Sequence, residues 1–257
     1  MSGRGGWKDR PLILAYHSVN TRREDGLAVG IDDFRNQMSW LQRRGYRSMT
    51  LRDFTGLKIE KGGPLLIITF DDGYADNYSL AFPILKEYGF VATVFLVSDY
   101  VNTDHIFSWD EAKVSTHGDP SLYRLLNWEE IREMAGYGIE FGSHTCTHPE
   151  LTKMSTKQCW EEVTRSRVDL EARLGREIAS FCYPGGDLNP EVVQMVEQAG
   201  YGSAVVTLPR AGIPLSSFTL RRVGIYRHNR SLLFRLKTMP FMRRNYYERL
   251  GRVPWRR

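Results

Sequence analysis

A chain of 257 residues with 42% apolar and 25% charged side chains can bury a sizeable core, which excludes a disordered or low-complexity polymer. The net charge of +5 is uneven: residues 232–257 hold eight Lys or Arg against one Glu, leaving 27 basic and 29 acidic side chains elsewhere. A slightly acidic body argues against nucleic acid as a partner. Cys146, Cys159 and Cys182 are too few and too scattered for a disulfide framework.

Residues 1–10 read as an N-terminal tail. The apolar run "PLILAY" (11–16) predicts a buried strand, too short for the core of a secretory signal and followed by no small-residue cleavage site. No stretch approaches the length of a membrane span, so the expected location is cytoplasmic. "IDDFRNQMSWLQRRG" (31–45) predicts a helix with Phe34, Met38 and Leu41 on one face and Gly45 at its end. "YRSM" is a short strand and "PLLIITF" (64–70) a strand covered on both faces. "NYSLAFPILKEYG" (77–89) predicts a helix with a kink at Pro83, and "VATVFLV" (91–97) another strand.

Residues 98–126 read as an insertion carrying some helix. "NWEEIREMAGYG" (127–138) opens on a capping-box pattern from Asn127 to Glu130. Strands are expected at "IEFGS", "IASFCYP", "GSAVVT" and "FTLRRVGI", with helices at 155–175 and 189–200. This alternation predicts an α/β fold, a distorted single (β/α) barrel of about seven strands over 11–240. No G-x-G-x-x-G follows a strand, so a dinucleotide fold lacks its fingerprint.

Three segments follow strands: "TFDDG" (69–73), "SHTCTH" (143–148) and "YPGG" (183–186). In a parallel β/α barrel such positions open on one face. His144 and His148 with one carboxylate make the three-ligand open site of a catalytic metal. If Asp72 is that carboxylate, Asp71 is left to accept a proton from water acidified by the ion. Each motif alone reads equally as ordinary surface, a solvated Asp-Asp-Gly turn and two loop histidines.

"TFDDGY" (69–74) and "SHTCTH" resemble the first and second motifs of the NodB-type polysaccharide deacetylases, carbohydrate esterase family 4, and "FCYPGG" (181–186) resembles the third. The resemblance implies a NodB-type barrel that removes N-acyl, chiefly N-acetyl, groups from amino sugars. It implies Asp71 as general base, and Asp72, His144 and His148 as ligands of a divalent ion: Zn²⁺, with Co²⁺, Ni²⁺ or Fe²⁺ as alternatives. The substrate is then a polysaccharide, an oligosaccharide or a lipid-linked glycan. "ILAYHSV", "FRNQMSWLQRRGYRSMTL" and "LRRVGI" resemble a rearranged branch in which the last barrel strand stands at the N-terminus.

Two departures stand out. The family's third-motif Arg, which braces the catalytic Asp, is absent from "FCYPGG"; Arg222 is the candidate substitute, with Arg221 the alternative. Adjacent strand residues face opposite sides, so only one of the two can point inward. The late L-x-H motif is also missing, and His17 resembles the His that replaces it as general acid, with His228 a weaker candidate. Tyr183 and Pro184 are expected at the floor of the site, and Tyr74 and Trp109 read either as sugar-stacking groups or as core aromatics. Cys146 reads as a small apolar group under its loop.

The basic, aromatic tail at 241–257 suits peripheral contact with anionic lipid. The oligomeric state is not readable. Competing functions are a deformylase or other amide hydrolase of the same fold, and a catalytically inactive carbohydrate-binding protein.

Overall fold

Aliphatic runs become parallel strands here because both faces of each are covered. The computed structural model describes residues 11–56, 63–207 and 212–239; the expected tails at 1–10 and 241–257 lie outside them. Eight strands build the main sheet: β1 (Leu12–Tyr16), β2 (Leu65–Phe70), β3 (Thr93–Leu96), β4 (Glu140–Ser143), β5 (Ser180–Cys182), β6 (Ser203–Val206), β7 (Leu220–Arg221) and β8 (Val223–Gly224). They run in the order β7-β6-β5-β4-β3-β2-β1-β8 with parallel pairings, and a ninth piece, Arg47–Ser48, pairs with the start of β2.

The two ends of that order are consecutive in the chain, separated only by Arg222. Its N–H donates to the Val206 carbonyl at 2.9 Å, and the Ile225 N–H donates to Ala15 at 2.8 Å. The expected single strand "FTLRRVGI" therefore leans on β6 with its first half and on β1 with its second. This exchange of partners brings the sheet round into a distorted barrel.

Period-2 alternation sorts the core. Ile13, Ile67, Phe95, Cys182 and Val205 cluster together, while their strand neighbours Leu12, Leu14, Leu66, Ile68, Val94 and Leu96 join the larger cluster shared with the helices. Gly142 is what lets Phe95 lie flat inside: a Cβ there would stand 2.7 Å from the Phe95 ring and from the Ser180 carbonyl.

Besides the six-residue helix Leu51–Gly56, the α-helices are α1 (Ile31–Arg43), α2 (Phe82–Glu87), α3 (Ser108–His117), α4 (Trp128–Tyr137), α5 (Thr156–Leu174), α6 (Pro190–Gln198) and α7 (Ser231–Thr238). The Asn127 capping box starts α4, and a second one, Ser155 with Gln158, starts α5. The helix expected over 77–89 divides into a π turn, Asn77–Ala81, and α2. Pro83 has no N–H to continue an α-helical ladder through that turn. α3 lies in the expected insertion. No described helix is long and apolar enough to cross a membrane.

Candidate active site

Six of the eight strands present their next residue to one site. His17 follows β1, Asp71 follows β2, His144 follows β4, Tyr183 follows β5, Thr207 follows β6 and Arg222 follows β7. All six line one cavity of about 210 Å³.

Asp71 and Arg222 form its base. Arg222 is 1% exposed. Its Nη1 and Nη2 donate to the two Asp71 carboxylate oxygens at 2.7 Å each. Further bonds run from Nη1 to Thr69 Oγ1 and from Nη2 to Thr207 Oγ1, both at 2.8 Å. Burial raises the Asp71 carboxyl, but the Arg222 guanidinium outweighs it and holds the group well below the usual carboxylate range. Of the two adjacent arginines, Arg222 is thus the one that points inward. His17 Nε2 stands 3.9 Å from Asp71 Oδ2, and its buried Nδ1 has no protein partner.

Asp72 turns away from Asp71 because its backbone is left-handed, with φ 71°, and Gly73 follows at φ 74°. Asp tolerates this region, and Gly73 is needed next because a Cβ would meet Leu96 Cδ2 at 2.9 Å. Asp72 Oδ1 lies 3.5 Å from His144 Nε2 and 3.6 Å from His148 Nε2. Two ligands of a tetrahedral Zn²⁺, each about 2.0–2.1 Å from the ion, stand roughly 3.4 Å apart, so this donor set fits such an ion. His144 Nδ1 is 2.8 Å from the Cys182 carbonyl. A carbonyl only accepts, so Nδ1 carries the hydrogen and Nε2 turns its lone pair to Asp72 when the ring is neutral. Burial opposes charge on His144, yet the Cys182 and Asp72 contacts raise its pKa well above the usual value. Burial and that neighbouring charge push His148 down to about 4.

Thr145 and His148 also have positive φ, 68° and 61°. For a β-branched and a ring residue this costs about 1–3 kcal/mol each. Glu162 of α5 offsets part of it by accepting from the Cys146 N–H, the Thr147 N–H and the Thr147 hydroxyl at 2.7–2.9 Å. Cys146 is fully buried under this loop and lies outside the Asp72–His144–His148 group.

Other expected site residues fall differently. Tyr74 does not line the cavity: it is fully buried, and its hydroxyl donates to Asp110 at 2.5 Å. A neighbour from the insertion has captured the group expected to meet sugar. Pro184 is buried beside the cavity, whose floor there is made by Tyr183, Gly185 and Gly186. The Tyr183 hydroxyl is tied to the Phe218 carbonyl at 2.9 Å. Trp109 is 36% exposed and lines the cavity, its ring 4.8 Å from that of His148. His228 is exposed and outside. Thr207, Leu27 and Tyr226 line the cavity without having been singled out; their sole signal is that each sits just beyond an expected strand or in the loop after one.

A parallel barrel with these strand ends defines a class, and the chain belongs to it: the polysaccharide deacetylase family. The model of that family, described as polysaccharide deacetylase, matches residues 58–204. That stretch carries Asp71, Asp72, His144, His148 and Tyr183 and leaves out His17 and Arg222. Among relatives, YxkH of Bacillus subtilis (strain 168), a protein assigned to the polysaccharide deacetylases, is 32% identical over 202 residues, 77% of this chain and 65% of that protein. The poly-beta-1,6-N-acetyl-D-glucosamine N-deacetylase of Staphylococcus aureus (strain MSSA476) is 24% identical over 196 residues, 72% of this chain and 63% of that protein. The chain thus spans just under two thirds of the length of these curated relatives. The solved structure of the Streptococcus pyogenes deacetylase PplD shares the fold, with a TM-score of 0.70 at 22% identity over 92% of this chain and 97% of that one.

Proposed function

We propose that the chain is a metal-dependent hydrolase that removes the N-acetyl group from an amino sugar within a polysaccharide, an oligosaccharide or a lipid-linked glycan. One observation carries this reading: the Asp72–His144–His148 group and the Arg222-held Asp71 open on the same cavity. The name of the Staphylococcus aureus relative supports N-acetylglucosamine as the sugar.

In this reading Asp72, His144 and His148 hold a divalent ion. Two imidazoles and a carboxylate suit Zn²⁺, and also accept Co²⁺, Ni²⁺ or Fe²⁺. Bound there, the ion supplies a Lewis acid and lowers the pKa of water towards neutrality. Asp71 accepts the proton of the attacking water. A carboxylate held below its usual range is a weak base, so Arg222 acts mainly by keeping Asp71 ionised beside Asp72 and aimed into the cavity. His17 gives a proton to the departing amine. A backbone N–H of the turn after β2 donates to the charge that develops on the acyl oxygen. Trp109 offers a face for a sugar ring, and Tyr183 shapes the wall.

The reading extends to the rearranged strand order, with β1 doing the work of a last strand. Its support is the place of β1 between β2 and β8, with His17 at its end. It also takes 11–240 as one domain. The test is metal content and acetate release from β-1,6-linked N-acetylglucosamine oligomers. Asp71→Asn keeps its metal and loses activity, whereas Asp72→Asn loses both. Wild-type turnover by metal-free Asp72→Asn would overturn the assignment.

Peripheral contact with the cytoplasmic membrane face belongs to the same reading. α7 exposes Leu232, Leu233, Leu236 and Met239 just beyond it, beside the exposed Arg230 and Arg235. An apolar face bordered by cations suits an anionic bilayer. Flotation with phosphatidylserine vesicles checks this: wild type should float and Leu232→Gln/Leu236→Gln should not, while a wild type that stays at the bottom refutes it.

A further inference from the structure

A second polar assembly sits behind the cavity walls, and it centres on Arg23. This residue lies in the loop between two short paired strands, Ser18–Val19 and Ala28–Val29, and is 0% exposed. Its Nε donates to Asp25 Oδ2 at 2.8 Å, and its Nη2 donates to Asp110 Oδ1 at 3.3 Å. Its guanidinium carbon stands 4.3 Å from the ring centres of both Tyr74 and Tyr123. A buried cation is retained at a desolvation cost that an apolar side chain would not incur. What the partners hold explains why a cation is useful there.

Asp25 Oδ1 accepts the Leu27 N–H at 2.9 Å, and Leu27 lines the cavity. On the other side, Asp110 accepts the Tyr74 hydroxyl at 2.5 Å, and Tyr74 Oη accepts from Trp109 Nε1 at 3.1 Å. Trp109 lines the cavity and is stacked on Phe107 with ring centres 4.4 Å apart and planes 9° apart. The Arg23 carbonyl also accepts from Arg227, next to the third lining residue Tyr226. One cation therefore joins the Leu27 wall, which comes from the loop after β1, to the Trp109 wall, which comes from α3.

We propose that Arg23 is a positioning residue that sets the separation of the Leu27 and Trp109 walls and thereby the affinity for sugar units of the glycan chain. This rests on the deacetylase reading above. An indole held at its edge and on its face loses little freedom when a sugar ring stacks on it, which is how a fixed wall raises affinity. Arg23 touches no reacting atom, so its loss should appear in binding rather than in the chemical step.

The test uses metal-loaded full-length protein with Arg23→Lys, Arg23→Met and Asp110→Asn, each checked by thermal melt and metal content. The two milder changes keep the test available if Arg23→Met does not fold. Acrylamide quenching of Trp109, isolated by subtracting the Trp109→Phe protein in each background, should rise about twofold as the indole comes loose. KM for an N-acetylglucosamine pentamer should rise roughly five- to tenfold with kcat little changed, and hydrolysis of a small acetyl ester should be unaffected. In a double-mutant cycle, Arg23→Lys should add little to the loss already caused by Trp109→Ala. Unchanged quenching, equal kcat losses on pentamer and ester, or independent effects in the cycle would overturn the proposal. If wild type hydrolyses no acylated amino sugar, the deacetylase reading fails, while quenching still decides whether Arg23 holds the wall.

Discussion

Asp76 links burial to the placement of His17, and its titration can be predicted. The residue is 7% exposed. It accepts from Ser18 Oγ at 2.5 Å and from the Val19 N–H at 3.3 Å. Its neighbour Asn77 donates to the His17 carbonyl at 2.8 Å and to Asp76 Oδ1 at 3.2 Å. Burial raises the Asp76 carboxyl from 3.8 to about 6, against the Ser18 bond and the charge of Arg23. A folded state that keeps this proton to higher pH than the unfolded chain binds more protons between about pH 4 and 6. Stability from this group is therefore greatest below about pH 4 and falls as pH rises through about 6. At about 1.36 kcal/mol per pH unit, the fall is roughly 3 kcal/mol. Asp76→Asn removes the titration and keeps the shape. The fixed cost of exchanging one oxygen for NH₂ is common to both pH values and cancels in the difference. Urea unfolding of both proteins at about pH 4 and about pH 8 should show the variant gaining roughly 3 kcal/mol on wild type between them. Parallel stability curves would refute the reasoning, because Asp76 would then ionise in the fold without penalty.

Arg222→Lys keeps a charge but cannot make two parallel bonds to Asp71. Losing one of the two charge-assisted bonds to Asp71 should cost about 1.5–3 kcal/mol and lower Tm by roughly 3–12 °C, with metal retained and kcat reduced; wild-type kcat would show that Asp71 does not depend on the fork. His17→Asn should lower kcat by about 10²–10⁴ while metal content and Tm stay near wild type; an unchanged kcat removes His17 as the proton donor. Gly142→Ala forces a methyl group against Phe95 and the Ser180 carbonyl and should destabilise by about 1–3 kcal/mol in urea unfolding; an unchanged midpoint would mean that the Phe95 ring moves aside freely.

Legibility in the sequence tracks how local each constraint is. The strands show as aliphatic runs because both of their faces are buried, and Asp71, Asp72, His144 and His148 show because the carboxylate pair and the histidine pair each follow such a run, where a parallel barrel opens on one face. Tyr74 misleads for the opposite reason: it sits in the motif, but its hydroxyl is captured by Asp110, 36 residues away, on a helix that no motif marks. Glu162 and Arg23 carry no pattern at all, since one acid among several on a helix and one cation in a polar loop become special only when the fold buries them. Arg222 lies between these cases. Alternation says that one of two adjacent arginines faces inward, but which one depends on where the chain leaves β6 and takes up β1. That exchange occurs at Arg222 itself: its backbone N–H holds the edge of β6, while its side chain holds Asp71 across 151 residues of chain. Bringing the two ends of the sheet together and supplying the counter-charge for Asp71 are thus one event. A last strand paired out of register would leave a buried carboxylate beside Asp72 with no cation, so the site itself penalises the mispaired barrel.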